Sequence, residues 1–379
     1  MVSLSDVHLN NTSLRSAGSG PTVALVGATA GIGLATFHAL LKHTSSPTIY
    51  LVGRDGSRLD ALIATAQQRH PNPGATIVPI VVVHGDDLTL VRHADAAARQ
   101  IASLTSRLDL LIMSPGYLSF RSTADFSADE GLDRITSIRY HARMRFLVTL
   151  LPALRAAPNP RVISVLAAGK EGPLRLDDLG MTRPETYGPI YAAGAAASMT
   201  TLFFEELVAT GSSTGSGSGN GNGNGNDNDN DNVNVNGNDR IVFVHLFPGL
   251  VGTGLRVLNS GWALSLLWEW IVRPAFKLFG STAEDAGERV LFAATSGRFR
   301  RVRPEDADGL AGTLVQRGST GVLGSGVYLV GEDSEVVRPP RGAKGDDLLA
   351  ELRRQGAGKK VYEYTMAEFE RIEKMGSQQ

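Results

Sequence analysis

The chain of 379 residues carries 37 basic and 38 acidic side chains, a formal charge of −1, and no cysteine. That balance leaves no electrostatic footprint for nucleic acid, and the missing thiols exclude disulfides, cysteine nucleophiles and thiolate metal sites. With 42% apolar and 20% charged residues the composition is that of a globular protein, and the eight histidines lack zinc-site spacing, so no metal is expected.

The first twenty or so residues are polar and lack the apolar core of a secretory signal, which makes a cytoplasmic location the expectation. From Thr22 onward, short β-branched runs alternate with longer helical patterns, the signature of βαβ units on a parallel sheet. Predicted strands cover 22–26, 48–52, 76–83, 108–113, 161–166, 240–246 and 326–330. Their continuous apolar character suits strands covered by helices on both faces. The expected fold is a single α/β domain over 1–379, a doubly wound parallel sheet (Rossmann fold) of about seven strands, with a C-terminal extension after Gly331.

The first strand runs directly into Gly27-x-x-x-Gly31-x-Gly33, with Thr29 and Ile32 inside the turn, and then into a helix. Glycines there let the backbone turn tightly and approach a pyrophosphate, whose charge is met by the N–H groups at the helix start. A nicotinamide dinucleotide is the expected ligand. At the end of the second strand stands Arg54, followed by Asp55. A guanidinium at this place favours a 2′-phosphate and hence NADP(H), whereas an acidic residue favours the ribose hydroxyls of NAD; Asp55 is the competing reading.

Gly-x-x-x-Gly-Ile-Gly in this position resembles the glycine motif of the short-chain dehydrogenase/reductase superfamily, and the resemblance extends over most of the chain. Asp87 and Leu88 are similar to that family's adenine-contacting pair. Ser114 and Gly116 lie where it has Asn-Asn-Ala-Gly, with only the glycine kept. Pro248, Gly249, Val251 and Thr253 match Pro-Gly-x-Val-x-Thr, which the resemblance assigns to the nicotinamide carboxamide. The runs VGATAGIG, YLVGR, SVLAAGKEG and GERVLFAATS are similar to a divergent fungal group associated with secondary-metabolite pathways, which implies a lipophilic small-molecule substrate.

The catalytic pattern of that family, a serine, Tyr-x-x-x-Lys and an asparagine, is not kept. Ala167 stands where the serine belongs, and Arg139 where the asparagine belongs. Tyr187 and Tyr191 are followed four residues later by Tyr191 and Ala195, and no lysine occurs between Glu171 and Phe276. A tyrosine without a nearby cation is a poor proton donor at neutral pH. Tyr191 is the expected proton donor with Tyr187 as its alternate, and Lys170, Arg139 and Arg143 are the cations expected near it, against the plainer reading of Lys170 as a loop charge and the arginines as a solvated helix face. A non-redox role that keeps the dinucleotide site, as an isomerase, cyclase, dehydratase or binding partner, is the alternative function.

Two segments stand apart. Residues 210–239, rich in Gly, Asn, Ser and Asp, cannot bury enough apolar surface to offset their ordering entropy and are expected to be a disordered insertion. Residues 255–280, with Trp262, Trp268 and Trp270, fall where the family places its substrate lid. Glu269, Arg273, Pro274 and Lys277 interrupt that apolar stretch, so no transmembrane span is expected, while peripheral membrane contact and self-association are both compatible with it.

Overall fold

The computed structural model describes residues 1–16, 18, 20–82, 88–119, 121–212, 240–252, 257–258, 281–302, 314–342 and 347–376. Seven parallel strands form the central sheet: β1 (Thr22–Val26), β2 (Thr48–Gly53), β3 (Thr76–Val81), β4 (Leu110–Met113), β5 (Arg161–Val165), β6 (Val242–Leu246) and β7 (Val327–Val330). Their order is β3-β2-β1-β4-β5-β6-β7, the doubly wound arrangement expected from the sequence. The strand order reverses between β1 and β4, and ligands of open α/β sheets bind outside the carboxyl ends at such a point. Register makes those ends level, since Val26 pairs with Met113, Met113 with Ser164, and Val165 with Leu246. The chain therefore leaves the sheet at Gly27, Ser114, Leu166 and Phe247 along one edge.

Strand residues alternate between two apolar layers. Val23, Leu25, Ile49, Leu51, Ile112, Ile163 and Val244 face one, and Ala24, Val26, Val52, Leu111, Met113, Val162 and Phe243 the other. Each fully buried Leu, Ile or Val contributes about 1.5–3 kcal/mol relative to exposure. β3 is an edge strand, which is why Pro79, lacking an N–H, is tolerated in its middle. β4 starts two residues later than expected because the Leu108 amide donates to the Ala153 carbonyl instead of joining the ladder.

The first layer is covered by α1 (Leu4–Ser13), α2 (Gly31–His43), α3 (Gly56–Arg69) and α7 (Ala283–Thr295), the second by α4 (Val91–Leu104), α5 (Ala142–Arg155), α6 (Pro189–Ser212), α8 (Leu348–Arg354) and α9 (Ala357–Gly376). The polar N-terminus thus folds: Asn11 of α1 donates through Nδ2 to Glu288 Oε2 of α7 at 2.7 Å. The C-terminal extension folds too. Phe203 of α6 stacks on Tyr362 of α9 at 5.4 Å between centroids, and Tyr140 shares a 2.6 Å hydrogen bond with Thr365. Because α6 runs to Ser212, the first three residues of the expected insertion are helical; its remainder lies outside the described residues. So does the expected lid with its three tryptophans, apart from Val257–Leu258, which pairs in parallel with Leu118–Ser119. Among the described residues no helix is long and apolar enough to cross a membrane.

Candidate active site

The chain leaves β1 through Gly27 at φ +84° and enters α2 at Gly31 at φ +57°, left-handed values that a side chain resists. A Cβ on Gly27 would stand 2.6 Å from the Pro115 nitrogen, and one on Gly33 would stand 2.5 Å from Ser114 Oγ. The glycine turn is closed onto the segment after β4 by the Ser114 amide, which donates to the Val26 carbonyl at 2.9 Å, and by Ser114 Oγ, which donates to the Gly27 carbonyl at 3.2 Å. Ala30, at the cap of α2, supplies no side-chain acceptor, and the first turn holds no acidic residue. The first amides of that helix are thereby left for an anion, which the helix dipole favours.

Thr29 lies against Gly53 at the end of β2, and Arg58 braces the turn by donating through Nη2 to the Thr29 carbonyl at 3.3 Å. Ile32 packs into the first layer. Arg54 is exposed and forms no hydrogen bond or ion pair among the described residues. Asp55 is engaged locally: as the cap of α3 its Oδ1 accepts from the Arg58 amide at 3.1 Å. The carboxylate that competes with Arg54 in the sequence thus has a structural role in the fold.

The other residues singled out for the dinucleotide fall along the same edge of the sheet. Leu88 is buried in the second layer, while Asp87 lies outside the described residues. Gly116 is exposed beyond Ser114. Beyond β6, Pro248 is half-buried and Gly249, at φ +76°, packs against the Glu332 carboxylate. Val251 is buried and bridges to Ser281; Thr253 lies outside the described residues.

The catalytic candidates separate into two groups. Tyr191, in the first turn of α6, accepts through its hydroxyl from the Arg175 amide at 3.1 Å, and the Arg175 guanidinium carbon stands 5.2 Å from its ring centroid. Burial pushes the Tyr191 phenol up, and the Arg175 amide and charge oppose that. The cation over Tyr191 is therefore Arg175, which sequence reasoning missed because it comes from a loop sixteen positions upstream with no motif. Lys170 is exposed, with its ammonium 5.5 Å from the Phe247 ring centroid. Ala195, where the lysine of the familiar pattern would stand, is fully buried against Met181 and Ala192.

Tyr187 belongs to the second group. Its hydroxyl donates to Asp133 Oδ2 at 3.4 Å, and burial, then the Asp133 charge, push the phenol up to about 12 while the Arg139 charge opposes them. Asp133, also missed, carried a readable signal: as a helix cap it accepts from the Thr136 amide at 2.9 Å, an Asp-x-x-Thr pattern. Arg139 sits in a π turn, Ser137–His141, of the kind that recurs at functional sites. It is 8% exposed, and Arg143 is 2% exposed, so neither belongs to a solvated helix face. Arg143 ties the strand ends together, donating to Val165 O and Ser164 Oγ at 2.9 Å, to Met113 O at 3.3 Å and to Pro115 O at 2.5 Å. A cavity of about 720 Å³ between α9 and residues 176–182 shares no residue with the glycine turn.

Residues 21–173 match the family model described as short chain dehydrogenase. Over 368 residues the chain is 30% identical to the oxidoreductase AN1596 of Emericella nidulans, covering 96% of this chain and 97% of the relative. It is 32% identical over 339 residues to the oxidoreductase andH of Emericella variicolor, covering 88% of each. An L-sorbose reductase of Gluconobacter frateurii, solved with NADPH and L-sorbose, shows 19% identity and a TM-score of 0.48 over 73% of this chain and 90% of that one. On its sheet order, its glycine turn and relatives matched along nearly its whole length, the chain belongs to the short-chain dehydrogenase/reductase family.

Proposed function

We propose that this protein is an NADP(H)-dependent oxidoreductase that moves hydride between the nicotinamide and a carbonyl, alcohol or activated alkene of a lipophilic small molecule. The observation that carries the reading is the start of α2, where Gly27, Gly31 and Gly33 close the turn and no side chain caps the helix. A pyrophosphate fits those free amides. Arg54, exposed and without a partner among the described residues, would take the 2′-phosphate, a role Asp55 leaves to it by capping α3. Gly27, Thr29, Gly31, Ile32 and Gly33 would hold the diphosphate, Asp87 and Leu88 the adenine, and Ser114, Gly116, Pro248, Gly249, Val251 and Thr253 the nicotinamide half.

Bound NADP(H) would supply the hydride. The chain's own task is the proton at the substrate oxygen, and Tyr191 is the group we assign to it. Its phenolate would be held by the Arg175 amide and the guanidinium above the ring. Such a positioned acid contributes roughly 10²- to 10⁴-fold in rate. The fungal relatives and the resemblance of several runs to secondary-metabolism proteins support a polyketide- or terpenoid-like substrate.

One observation favours a second reading, a nucleotide-binding protein without redox chemistry: Ala195 fills the place of the missing lysine with an apolar cluster. NADPH oxidation against a panel of lipophilic ketones, quinones and enones separates the two. The first reading predicts turnover with NADPH over NADH that falls by roughly a hundredfold in Tyr191→Phe. Tight NADPH binding with no hydride transfer to any member would replace it with the second.

A further inference from the structure

Arg139 is 8% exposed, and among the described residues its one hydrogen bond runs from Nη2 to the Tyr117 carbonyl at 3.4 Å. A guanidinium presents several N–H donors in a fixed fork, and no Arg139 nitrogen is among the fully buried side-chain atoms that lack a partner, so its donors without a protein acceptor still reach solvent. Asp133, the carboxylate nearest in charge, is engaged elsewhere. Its Oδ1 accepts from the Asp125 amide at 2.8 Å, and its Oδ2 accepts from the Thr136 amide and hydroxyl at 2.9 and 2.7 Å. No carboxylate forms an ion pair with Arg139 among the described residues.

Arg143 adds a second cation one turn along. Among the described residues it bonds only carbonyls and the Ser164 hydroxyl, and no carboxylate pairs with it. Burial and then the neighbouring Arg139 charge pull Arg143 down to about 9. Arg139, bonded to the Tyr117 carbonyl, and Arg143, bonded to the Pro115 carbonyl, thus both stand against the segment that follows Ser114 at the carboxyl end of β4. The π turn that carries Arg139 holds it at this edge of the sheet.

We propose that Arg139 is the anion-binding residue of the substrate site, and that the substrate carries a carboxylate or an acidic enol or phenol oxygen which completes the hydrogen bonding of its guanidinium. The fork geometry suits a planar, two-oxygen acceptor such as a carboxylate or the enolate of a β-dicarbonyl. Such a group fits the lipophilic substrate of the reading above, on which this proposal rests only for calling the ligand a substrate.

The test is binding of 2-naphthoate and of its methyl ester to the intact protein, followed by calorimetry beside an NADPH titration of the same sample. The acid is expected to bind on the order of tenfold to a hundredfold more tightly than the ester. Arg139→Gln should abolish that preference, Arg139→Lys should keep part of it and show that the site still folds, and Arg54→Ala should leave it intact. Equal behaviour of acid and ester in the wild type, whether both bind or neither does, overturns the proposal. So does a preference that survives Arg139→Gln. Failure of NADPH to bind is a separate result and strikes the oxidoreductase reading instead.

Discussion

The main-chain amide of Ala167 donates to Nε2 of His245 at 3.1 Å, joining the turn after β5 to the end of β6. Because Nε2 accepts that bond, the imidazole proton belongs on Nδ1, which faces Thr201 Oγ1 at 2.9 Å and Glu171 Oε1 at 3.4 Å. His245 occupies a strand position whose neighbour Phe243 is core, and it is itself fully buried. A polar group there is tolerated because three partners meet it. His245→Phe keeps the volume and removes the acceptor. It should cost about 3 kcal/mol, since the Ala167 amide and the Thr201–Glu171 pair lose a buried partner. Urea unfolding measures this, and wild-type stability in the variant would show that the network does not hold the turn.

The contact between Arg175 and Tyr191 predicts a spectroscopic shift that needs no substrate. The Arg175 side chain stabilises the phenolate, so removing it must raise the Tyr191 pKa further. In the difference between protein and Tyr191→Phe, phenolate absorbance should emerge at higher pH for Arg175→Ala than for wild type. An unchanged titration would detach Arg175 from the proton chemistry.

Glu288 governs how α1 and α7 respond to acid. Burial alone would raise its carboxyl, but His43, Asn11 and Lys42 donate to it at 2.9, 2.7 and 3.0 Å and hold it at about 2 against an ordinary 4.5. A depressed carboxylate contributes stability that is fully present above the unfolded value and lost as pH falls through the folded one. The window is thus pH 4.5 down to about 2. Roughly 2 kcal/mol of unfolding free energy should disappear across it. Glu288→Gln should flatten that stretch of the stability profile measured in urea, and a profile that kept its slope would contradict the assignment.

The sheet was readable because strands covered on both faces are written as apolar runs, and the glycine turn because positive φ at Gly27 and Gly31 and close approach at Gly27 and Gly33 leave no other residue type. The proposed proton site was not readable in the same way. Arg175 meets Tyr191 only through the path of a loop, and the two buried arginines look on paper like any charged helix face. The α9 helix was legible and passed over: Val361, Thr365, Phe369 and Ile372 recur at helical spacing and are all buried.

The proposed function rests on a dinucleotide site that prefers the 2′-phosphate. The most direct measurement is the dissociation constant of NADPH and of NADH, from nicotinamide fluorescence, for the wild type and for Arg54→Ala. NADPH is expected to bind the wild type roughly tenfold or more tightly than NADH, and Arg54→Ala to weaken NADPH to the level of NADH while leaving NADH unchanged. Equal affinities in the wild type, or equal losses of both nucleotides in the variant, would contradict the role of Arg54. Binding of neither would contradict the site itself.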